Sequence, residues 1–509
     1  MTASFAWIGW TVIVGLATVG IEPSWPLWRM EVSVQFGEDR GQNFGTLFET
    51  TSTDKDVVLG AGFLGAYNTL VRSERRVVHF FVRDSRKENA ESMARLPRPT
   101  EDSGVYLFDV GNQLFETSAA EGRDPGVRTW DFKDKEWKLA PDTDGTTMLA
   151  GNGVLQTDSR SIRWNNQNLL TLKAEEGVLD KPYFAEGTLF FRLSYPKPAG
   201  RVARLAACAL RVGETKSIDW ATAKFFNLAT PGEFIYAYGQ WNGDVVVATN
   251  LGGVYRWAGG KWSVVRSASP GVSFQVYAMI NYRDRLLLGQ YPTGHLFEYC
   301  DGKIEELEGF PPRLEGVSKY AREAQTLAIY NGELYVGVWP WGEIWKFRSE
   351  TSTWSFVGRA FTHPEVTDQE QHPYQRETTA VDPVINQWGQ RITSLVPCRG
   401  SLFVGTSAKS SRPFDKRFAF LAPEKWQEYG SVLEMTLPGQ ASGFLQWSNG
   451  PTSLTFEIHA DHLLIRQDGQ TIGRSAFDAR GLKDVAFPPA DLGKGVFGPF
   501  AGQKLAVVP

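Results

Sequence analysis

A short block of the type Gly-x-Leu-aromatic recurs along this chain, and each copy is an apolar run that follows a turn. The copies are GTLFET (45–50), NQLFET (112–117), GTLFFR (187–192), GELYVG (332–337) and GSLFVG (400–405). Between residues 234 and 357 the whole unit around the block occurs three times, each time with four short apolar or alternating runs separated by turn residues. One such sheet cannot bury both of its faces alone, so repeats of about 40–50 residues must stack on one another.

These repeats predict an all-β fold, a β-propeller of about seven four-stranded blades. Weaker copies of the unit lie around 77–83, 105–117, 148–164 and 183–193. Residues 234–410 are expected to form four consecutive blades. Three glycines, Gly289, Gly337 and Gly405, are expected at equivalent positions of their strands.

The pattern changes from about Glu434 onward. Residues 453–474, SLTFEIHADHLLIRQDGQTIGR, alternate between apolar and polar side chains around an Asp-Gly hairpin turn, and residues 495–508 supply further strands. The sequence therefore predicts a propeller over 21–433 and a small C-terminal β-sandwich-like segment over 434–509.

The chain begins with an apolar, uncharged stretch, FAWIGWTVIVGLATV (5–19). Its length suits the apolar region of a signal peptide and is short for a membrane span. No Lys or Arg precedes it, which leaves a membrane anchor or a buried strand as alternatives. We expect a signal peptide over 1–20, a secreted or periplasmic protein, and no integral membrane domain after signal removal.

Charge and cysteine content argue against several classes of partner. The chain has 53 basic and 57 acidic residues, with no Lys/Arg-rich run, so no nucleic-acid partner is expected. Cys208, Cys300 and Cys398 are too widely spaced for a zinc cluster or a disulfide framework. Neither a phosphate-binding glycine loop nor a His-Glu-x-x-His pair is present, so we expect no cofactor and no metal, and a monomer.

The clearest repeats carry a family resemblance. A Leu-Tyr-Val-Gly strand is followed by a strand with Tyr255 or Trp345, and then by Trp262 or Trp354 after a polar turn. This arrangement resembles a degenerate kelch-like propeller blade over about 230–410, although the family's paired glycines occur only at 252 and 253. The Ser-x-Asp-x-Gly-x-Thr-Trp box of sialidase-type propellers is absent. The architecture is similar to secreted propeller polysaccharide lyases and glycosidases, a likeness that implies fold rather than activity.

In a propeller, the loops between the second and third strands of each blade, and those leading to the next blade, gather on one face around the axis. The loops TNLGG, YPTGH and WPWGE place six candidate substrate-binding residues on that face: Asn250, Tyr291, His295, Trp339, Trp341 and Glu343. Exposed aromatic rings beside polar groups suit sugar rings. The alternative is that Trp339 and Trp341 pack between neighbouring blades as core.

Two connections between blades, 311–325 and 358–391, are much longer than turns and carry the candidate catalytic residues. These candidates are His372, Tyr374, Arg376, Tyr320 and Arg322. An arginine could neutralise a uronate carboxylate while His or Tyr moves the proton next to it. We expect the five to meet Tyr291 and Trp339 over the axis. The alternative is a solvated loop whose histidines are incidental.

These features favour a secreted glycan-active protein, a polysaccharide lyase or hydrolase that acts on acidic polysaccharide through this face. The alternative is a non-catalytic propeller that binds a glycan or a protein.

Overall fold

The computed structural model describes residues 25–68, 75–86, 92–118, 126–140, 147–195, 202–315, 321–366, 372–381, 387–409 and 415–508. The predicted signal peptide and Tyr320 lie outside these residues.

The described part of the chain is built almost wholly from strands. Those before the first blade are β1 (Trp28–Gln35), β2 (Gly45–Thr51), β3 (Val57–Phe63), β4 (Ala66–Asn68), β5 (Val77–Asp84) and β6 (Ser92–Arg95). Blade 1 holds β7 (Tyr106–Val110), β8 (Gln113–Thr117), β9 (Val127–Asp131) and β10 (Glu136–Leu139). Blade 2 holds β11 (Met148–Ala150), β12 (Gly153–Thr157), β13 (Ser161–Trp164) and β14 (Gln167–Thr171). Blade 3 holds β15 (Val178–Ala185), β16 (Thr188–Ser194), β17 (Arg204–Ala209) and β18 (Lys224–Asn227).

Blades 4 to 6 follow the same plan. Blade 4 holds β19 (Ile235–Trp241), β20 (Asp244–Thr249), β21 (Val254–Ala258) and β22 (Lys261–Arg266). Blade 5 holds β23 (Gln275–Tyr282), β24 (Arg285–Tyr291), β25 (Leu296–Cys300) and β26 (Lys303–Leu307). Blade 6 holds β27 (Glu323–Tyr330), β28 (Glu333–Trp339), β29 (Glu343–Arg348) and β30 (Thr353–Arg359).

The last strands are β31 (Arg391–Cys398), β32 (Ser401–Ser407), β33 (Val432–Thr436), β34 (Gln440–Phe444), β35 (Thr452–Ile458), β36 (His462–Gln467), β37 (Gln470–Ala476), β38 (Asp491–Leu492) and β39 (Lys504–Val507). The short helices are α1 (Pro373–Thr379) and α2 (Pro423–Trp426), with 3₁₀ turns at Ala174–Glu176, Trp220–Thr222 and Arg480–Leu482.

Seven antiparallel sheets form the propeller, which confirms the predicted fold class. The first strand of each blade is innermost, and these inner strands lie side by side from blade 3 through blade 7 and on to blade 1. Blade 7 consists of β31, β32, β33 and β6, so its outer strand comes from a segment that precedes blade 1. The fourth blade expected within 234–410 therefore takes its third strand from Val432–Thr436 and its fourth from Ser92–Arg95.

The three predicted glycines do occupy equivalent positions, because each is the fifth residue of a seven-residue second strand. A Cβ on Gly289 would lie 2.3 Å from the carbonyl oxygen of Ala324, on the inner strand of the next blade. At Gly337 it would lie 2.6 Å from Ile392, again on the next inner strand. Close packing against the next blade therefore leaves no room for a Cβ at Gly289 and Gly337.

A β-sandwich is present, but its strands divide the chain differently from the expected segments 21–433 and 434–509. One sheet has the order β37-β36-β35-β1-β39 and the other β34-β5-β3-β2-β38. Phe456 of the first sheet packs against Phe48 and Phe80 of the second, with ring centroids 5.1 and 5.4 Å apart. The sandwich therefore joins residues 28–84 to residues 440–507, because β1 pairs with β35 along its length.

The sandwich covers one face of the propeller, which we call the lower face. In every blade its residues contact the turn between the first and second strands or a strand residue next to that turn. Representative contacts are Asn112 with Ser442, Gly151 with Asp39, Gly187 with Arg40, Gln240 with Gly41, Arg283 with Val496, and Asn331 with Gln440. In blade 7 the turn at Gly400 lies against Gln440. The loops that carry the candidate residues open on the opposite, upper face.

Residues 64–68, which follow β3, run from the sandwich into the central channel. There β4 pairs with β23, the inner strand of blade 5. The Tyr67 ring packs against Tyr183 and Tyr238 at 5.7 and 5.2 Å, and Asn68 Nδ2 donates to the carbonyl oxygen of Thr393 at 3.0 Å. The channel is therefore filled from below at the level of these residues.

Asp39 binds the two arginines that lead into β5. Its buried carboxylate accepts hydrogen bonds from Arg75 and Arg76 at 2.7 Å and from the backbone N–H of Gly151 at 2.6 Å. Burial by itself would raise the pKa of Asp39, but the two arginines and the Gly151 N–H outweigh it and hold the pKa well below its usual range.

We expect Asp39→Asn to lower the free energy of unfolding by about 3 kcal/mol, because the half-buried Arg75 and the buried Arg76 each lose an ion-pair partner. Since the pKa of Asp39 is lowered on folding, its contribution is present above the unfolded value of about 4 and is lost as the pH falls. The gap in Tm between wild type and variant should therefore narrow in acid. Asp284→Asn, at an exposed carboxylate, is the control and should leave Tm nearly unchanged. Equal Tm values for wild type and D39N at pH 7 would contradict this role.

Candidate functional site

The loops after β24 and β28 are structural equivalents on the upper face. Each loop forms a parallel bridge with the residue at the start of the next blade, Thr293 with Arg322 and Trp341 with Gln390. The predicted substrate-binding loops therefore do lie where blade joins blade. Some of the side chains in these loops are buried inside the protein, whereas others are exposed.

Arg322 and Glu343, predicted on the ligand side, are buried against each other. Arg322 is 1% exposed and Glu343 fully buried, with Nη2 and Oε2 3.4 Å apart. Trp345 Nε1 donates to the same carboxylate oxygen at 2.7 Å. Burial raises the pKa of Glu343, and the Arg322 charge opposes that rise. The backbone N–H of Arg322 donates to the carbonyl oxygen of Pro292 in blade 5 at 2.8 Å. Arg322 is therefore enclosed where blades 5 and 6 meet, and the expectation that it faces a ligand is wrong.

His372 and Tyr374 also pack inside the protein. His372 caps α1 by accepting the Tyr374 backbone N–H at 3.2 Å, and its ring lies 4.4 Å from that of Trp341. The Tyr374 hydroxyl is 2.6 Å from Nδ1 of His363. Burial lowers the pKa of His372 to about 3 and raises that of Tyr374 to about 12. Both side chains are therefore neutral and enclosed at neutral pH.

The expected meeting of the catalytic candidates over the axis does not occur among the described residues. His372 and Tyr374 lie beside Trp341 and Phe420, whereas Arg322 lies in the junction of blades 5 and 6. Arg376 is exposed on α1. Long loops of this kind lack the periodicity that tells a buried side chain from an exposed one, so the sequence could not separate them.

Three further candidates stabilise the loops themselves. Asn250 Oδ1 accepts the Phe234 N–H at 2.8 Å and fixes a turn. His295 pairs with Glu306 of the outer strand at 2.7 Å. Trp341 is buried beneath the Arg359 guanidinium, 5.2 Å from its ring centroid, as the core alternative predicts.

A shared backbone irregularity marks the upper end of four consecutive inner strands. Each first strand of blades 4 to 7 contains a β-bulge at its pairing with the second strand. The residues in these bulges are Tyr236, Tyr277, Gln325 and Thr393. A bulge re-aims a side chain relative to the regular alternation of a strand. Accordingly the Tyr236 ring meets that of Tyr277 on the next blade at 4.9 Å.

An ion pair lies beside these bulges. Arg391 Nη2 donates to Glu323 Oε1 at 3.0 Å, and its Nη1 donates to the carbonyl oxygen of Lys409 at 3.0 Å. Burial raises the pKa of Tyr277 well above its usual range, and the Glu323 charge raises it further. The same two influences raise the pKa of Tyr291. The tyrosines and the ion pair therefore form one electrostatic unit.

We call this unit the mouth cluster, and it consists of Tyr236, Tyr277, Tyr291, Glu323, Gln325 and Arg391. Trp339 adjoins it, because it pairs with Glu323 across the strands and its ring lies 6.3 Å from that of Tyr291. Four buried polar atoms here have no hydrogen-bond partner among the described residues: Glu323 Oε2, Gln325 Oε1, Arg391 Nε and Trp339 Nε1. Of the predicted site residues, Tyr291 is half-buried in this cluster. Trp339 is 2% exposed and packs as core, as the alternative predicts, so it does not offer an exposed ring to a sugar.

A sequence signal for the missed residues exists. Tyr277, Gln325 and Thr393 each lie twelve residues before the repeat glycine of their own blade, and Tyr236 lies twelve before Ala248. Ala248 is the equivalent of these glycines in blade 4. It pairs with Ala237, the residue after the bulge, just as Gly289 pairs with Ala278. Alignment of the repeats on the glycine would therefore have selected this position.

Comparisons with known proteins add no functional assignment. No family model matches the chain, and no curated protein matches it. Among solved structures, BamB from Moraxella catarrhalis is 12% identical over 80% of this chain and 96% of its own, with a TM-score of 0.31. The β-propeller domain of Cps50 (Swd1) from Myceliophteria thermophila is 8% identical over 68% of this chain and 100% of its own, with a TM-score of 0.35. The propeller assignment rests on the sheets described above. Among the described residues, no helix is long and apolar enough to cross a membrane.

We expect His372→Phe to flatten the pH dependence of stability below pH 6.5. The buried ring takes up a proton only near pH 3, whereas an unfolded histidine does so near 6.5, so acidification destabilises the wild type by up to about 1.4 kcal/mol per pH unit. Phenylalanine keeps a ring against Trp341 and does not titrate. Thermal unfolding at pH 7 and pH 5 measures the difference. A variant that loses as much stability as the wild type between these pH values would show that His372 is accessible to protons.

Proposed function

We propose that this protein is a non-catalytic carbohydrate-binding propeller whose ligand occupies the mouth cluster on the upper face. The observation that carries the proposal is the run of bulged inner strands, which gathers two tyrosines and an amide beside a buried ion pair. Tyr236 and Tyr291 are half-buried, so part of each ring remains open to solvent. Aromatic faces beside a few fixed polar groups are what a sugar ring requires.

The direction of access supports the same proposal. The sandwich covers the lower face, and β4 fills the channel above it. A ligand of the mouth cluster would therefore approach from the upper face. Sugar hydroxyls both donate and accept hydrogen bonds, and could satisfy Glu323 Oε2, Gln325 Oε1 and Arg391 Nε together. Each buried polar atom left unpaired costs about 1–3 kcal/mol, which such a ligand would recover in part.

The geometry favours binding over the lyase or hydrolase hypothesis. A proton-transferring pair must reach the substrate, with a pKa suited to the working pH. His372 is enclosed by Trp341 and Tyr374, and burial keeps its ring neutral at neutral pH. An exported protein would meet polysaccharides at the cell surface, so the predicted signal peptide remains part of the proposal.

We expect Tyr236→Ala and Tyr291→Ala each to weaken oligosaccharide binding about tenfold, a loss of about 1.4 kcal/mol, because each removes an aromatic surface beside the ligand. Isothermal titration against a panel of neutral and uronate oligosaccharides provides the measurement. Phe225→Ala removes a ring of similar size from the outer strand of blade 3 and should leave the affinity unchanged.

Two results would reject the proposed function. One is wild-type protein that binds no member of the panel, and the other is equal affinity in wild type, Y236A and Y291A. Release of unsaturated product from uronate polysaccharide, followed by ultraviolet absorbance and abolished by Tyr374→Phe, would restore the lyase hypothesis.

A further inference from the structure

We propose that the mouth cluster selects an uncharged sugar, whose hydroxyl groups donate hydrogen bonds to Glu323 and Gln325. This inference rests on the proposed function and adds the chemical class of the ligand. It departs from the acidic polysaccharide expected from the sequence. It also assigns Gln325 to ligand recognition rather than to the stability of the fold.

The balance of charge within the mouth cluster favours an uncharged ligand. The side chains of its two charged residues, Glu323 and Arg391, are 4% and 12% exposed and pair at 3.0 Å. Each therefore already has a counter-charge. A carboxylate brought to this place would lie beside the Glu323 carboxylate, and an ammonium group would lie beside the Arg391 guanidinium. Because salt and water screen buried charges poorly, either ligand would meet a repulsion that an uncharged sugar does not.

The unused hydrogen-bonding atoms specify what the sugar provides. Glu323 Oε2 and Gln325 Oε1 are buried acceptors without a partner among the described residues, and both residues belong to β27. An ionised carboxylate and an amide oxygen only accept hydrogen bonds. The ligand must therefore donate, and the hydroxyl groups of a sugar ring do so without carrying charge. Arg391 Nε, the unpaired donor of the ion pair, is then available to a sugar oxygen.

A residue outside the cluster extends this set of atoms. Ser407 lies opposite Arg391 where β32 pairs with β31, just as Trp339 lies opposite Glu323 in blade 6. Its hydroxyl is buried and has no hydrogen-bond partner in the part of the chain that the structure describes. A hydroxyl both donates and accepts. Unpaired polar atoms therefore continue from blade 6 into blade 7 at one level of the ring, so one sugar can contact both blades.

Gln325 provides a test that separates recognition from folding. It is 5% exposed, and it lies in a bulge that re-aims its side chain. Methionine has nearly the same length and shape, and it has no amide oxygen to leave unpaired. We expect Gln325→Met to raise the Tm of the free protein by about 2 °C, because an unsatisfied buried acceptor is removed. The same variant should bind the sugar about tenfold more weakly, because the ligand loses this acceptor.

Gln290 provides the matched control. This glutamine is 2% exposed on the second strand of blade 5, and its Oε1 accepts the backbone N–H and the hydroxyl of Thr293 at 3.3 and 2.6 Å. Gln290→Met removes two hydrogen bonds that the fold uses, so it should lower Tm. Thermal unfolding of both variants without ligand gives the comparison.

Matched pairs of ligands isolate the charge. Tetramers of galacturonate, mannuronate and glucuronate are each compared with their carboxyl-reduced form, which has the same linkage and length but a hydroxymethyl group in place of the carboxylate. We expect the wild type to bind the reduced form of at least one pair about tenfold more tightly than the acid in low salt. Glu323→Gln removes the repelling charge, so it should narrow this difference by binding the acid more tightly than wild type does. Misfolding cannot produce such a gain.

The outcomes separate this inference from the proposed function. Equal or tighter binding of the acids by the wild type overturns the uncharged class and leaves the sugar-binding function standing. A full preference for the reduced form in E323Q overturns the repulsion by Glu323. Unchanged affinity in Q325M overturns the role of Gln325, and a lowered Tm assigns its oxygen to the fold instead. Wild-type protein that binds none of the tetramers rejects both the inference and the proposed function.

Discussion

The pairing of β6 with β33 is the interaction on which the rest of this molecule depends. Residues Ser92–Arg95 complete the last blade from a position in the chain that precedes the first. The ring is therefore closed within one sheet, which contains both the first propeller strand in the chain, β6, and the last, β33. Because the chain enters and leaves the ring at this blade, the segments before β6 and after β33 emerge together. They then pair as the two sheets of the sandwich.

This closure determines which face of the propeller the sandwich covers and which face remains accessible to a ligand. The sandwich contacts the turns of all seven blades on the lower face, and the segment around Tyr67 extends into the channel. The loops of the upper face have no such cover among the described residues. One side of the ring therefore provides stability, while the other carries half-buried tyrosines and an ion pair with unused hydrogen-bonding atoms.

The fold could be predicted from the sequence where the same packing constraint acts on successive blades. Gly289 and Gly337 recur because a Cβ there would overlap the next blade, so the blades and their spacing are visible in the residues. The sandwich was predicted only from its C-terminal half. Its N-terminal strands alternate like blade strands. Nothing local distinguishes a strand such as β1, which pairs with β35 more than 400 residues away, from a strand that pairs with its neighbour in the chain. The short strand β6, largely exposed, carries no pattern.

The site was predicted less well, for a related reason. Loop topology placed Tyr291 and Trp339 on the upper face, where Tyr291 is half-buried and Trp339 is buried as the core alternative predicts. The prediction for Arg322 was wrong because its side chain pairs with Glu343, the first residue of β29, and that for His372 was wrong because its ring packs against Trp341. Partners of this kind are set by tertiary packing and leave no periodic trace in the chain.

Comparison of the repeats within the chain separates structure from function at two positions. In blades 4 to 7 the residue that faces the next blade is glycine or alanine, as at Ala248, Gly289, Gly337 and Gly405, because close packing leaves little room there. The bulged residue twelve positions earlier is free of that constraint and varies between tyrosine, glutamine and threonine. If packing were the only constraint on the bulged residue, the same residue type could occupy it in all four blades. The variation at the bulge, at the same level of four adjoining blades, is what a surface shaped for an asymmetric ligand requires, and it is the reason to look for the ligand at the mouth of the channel.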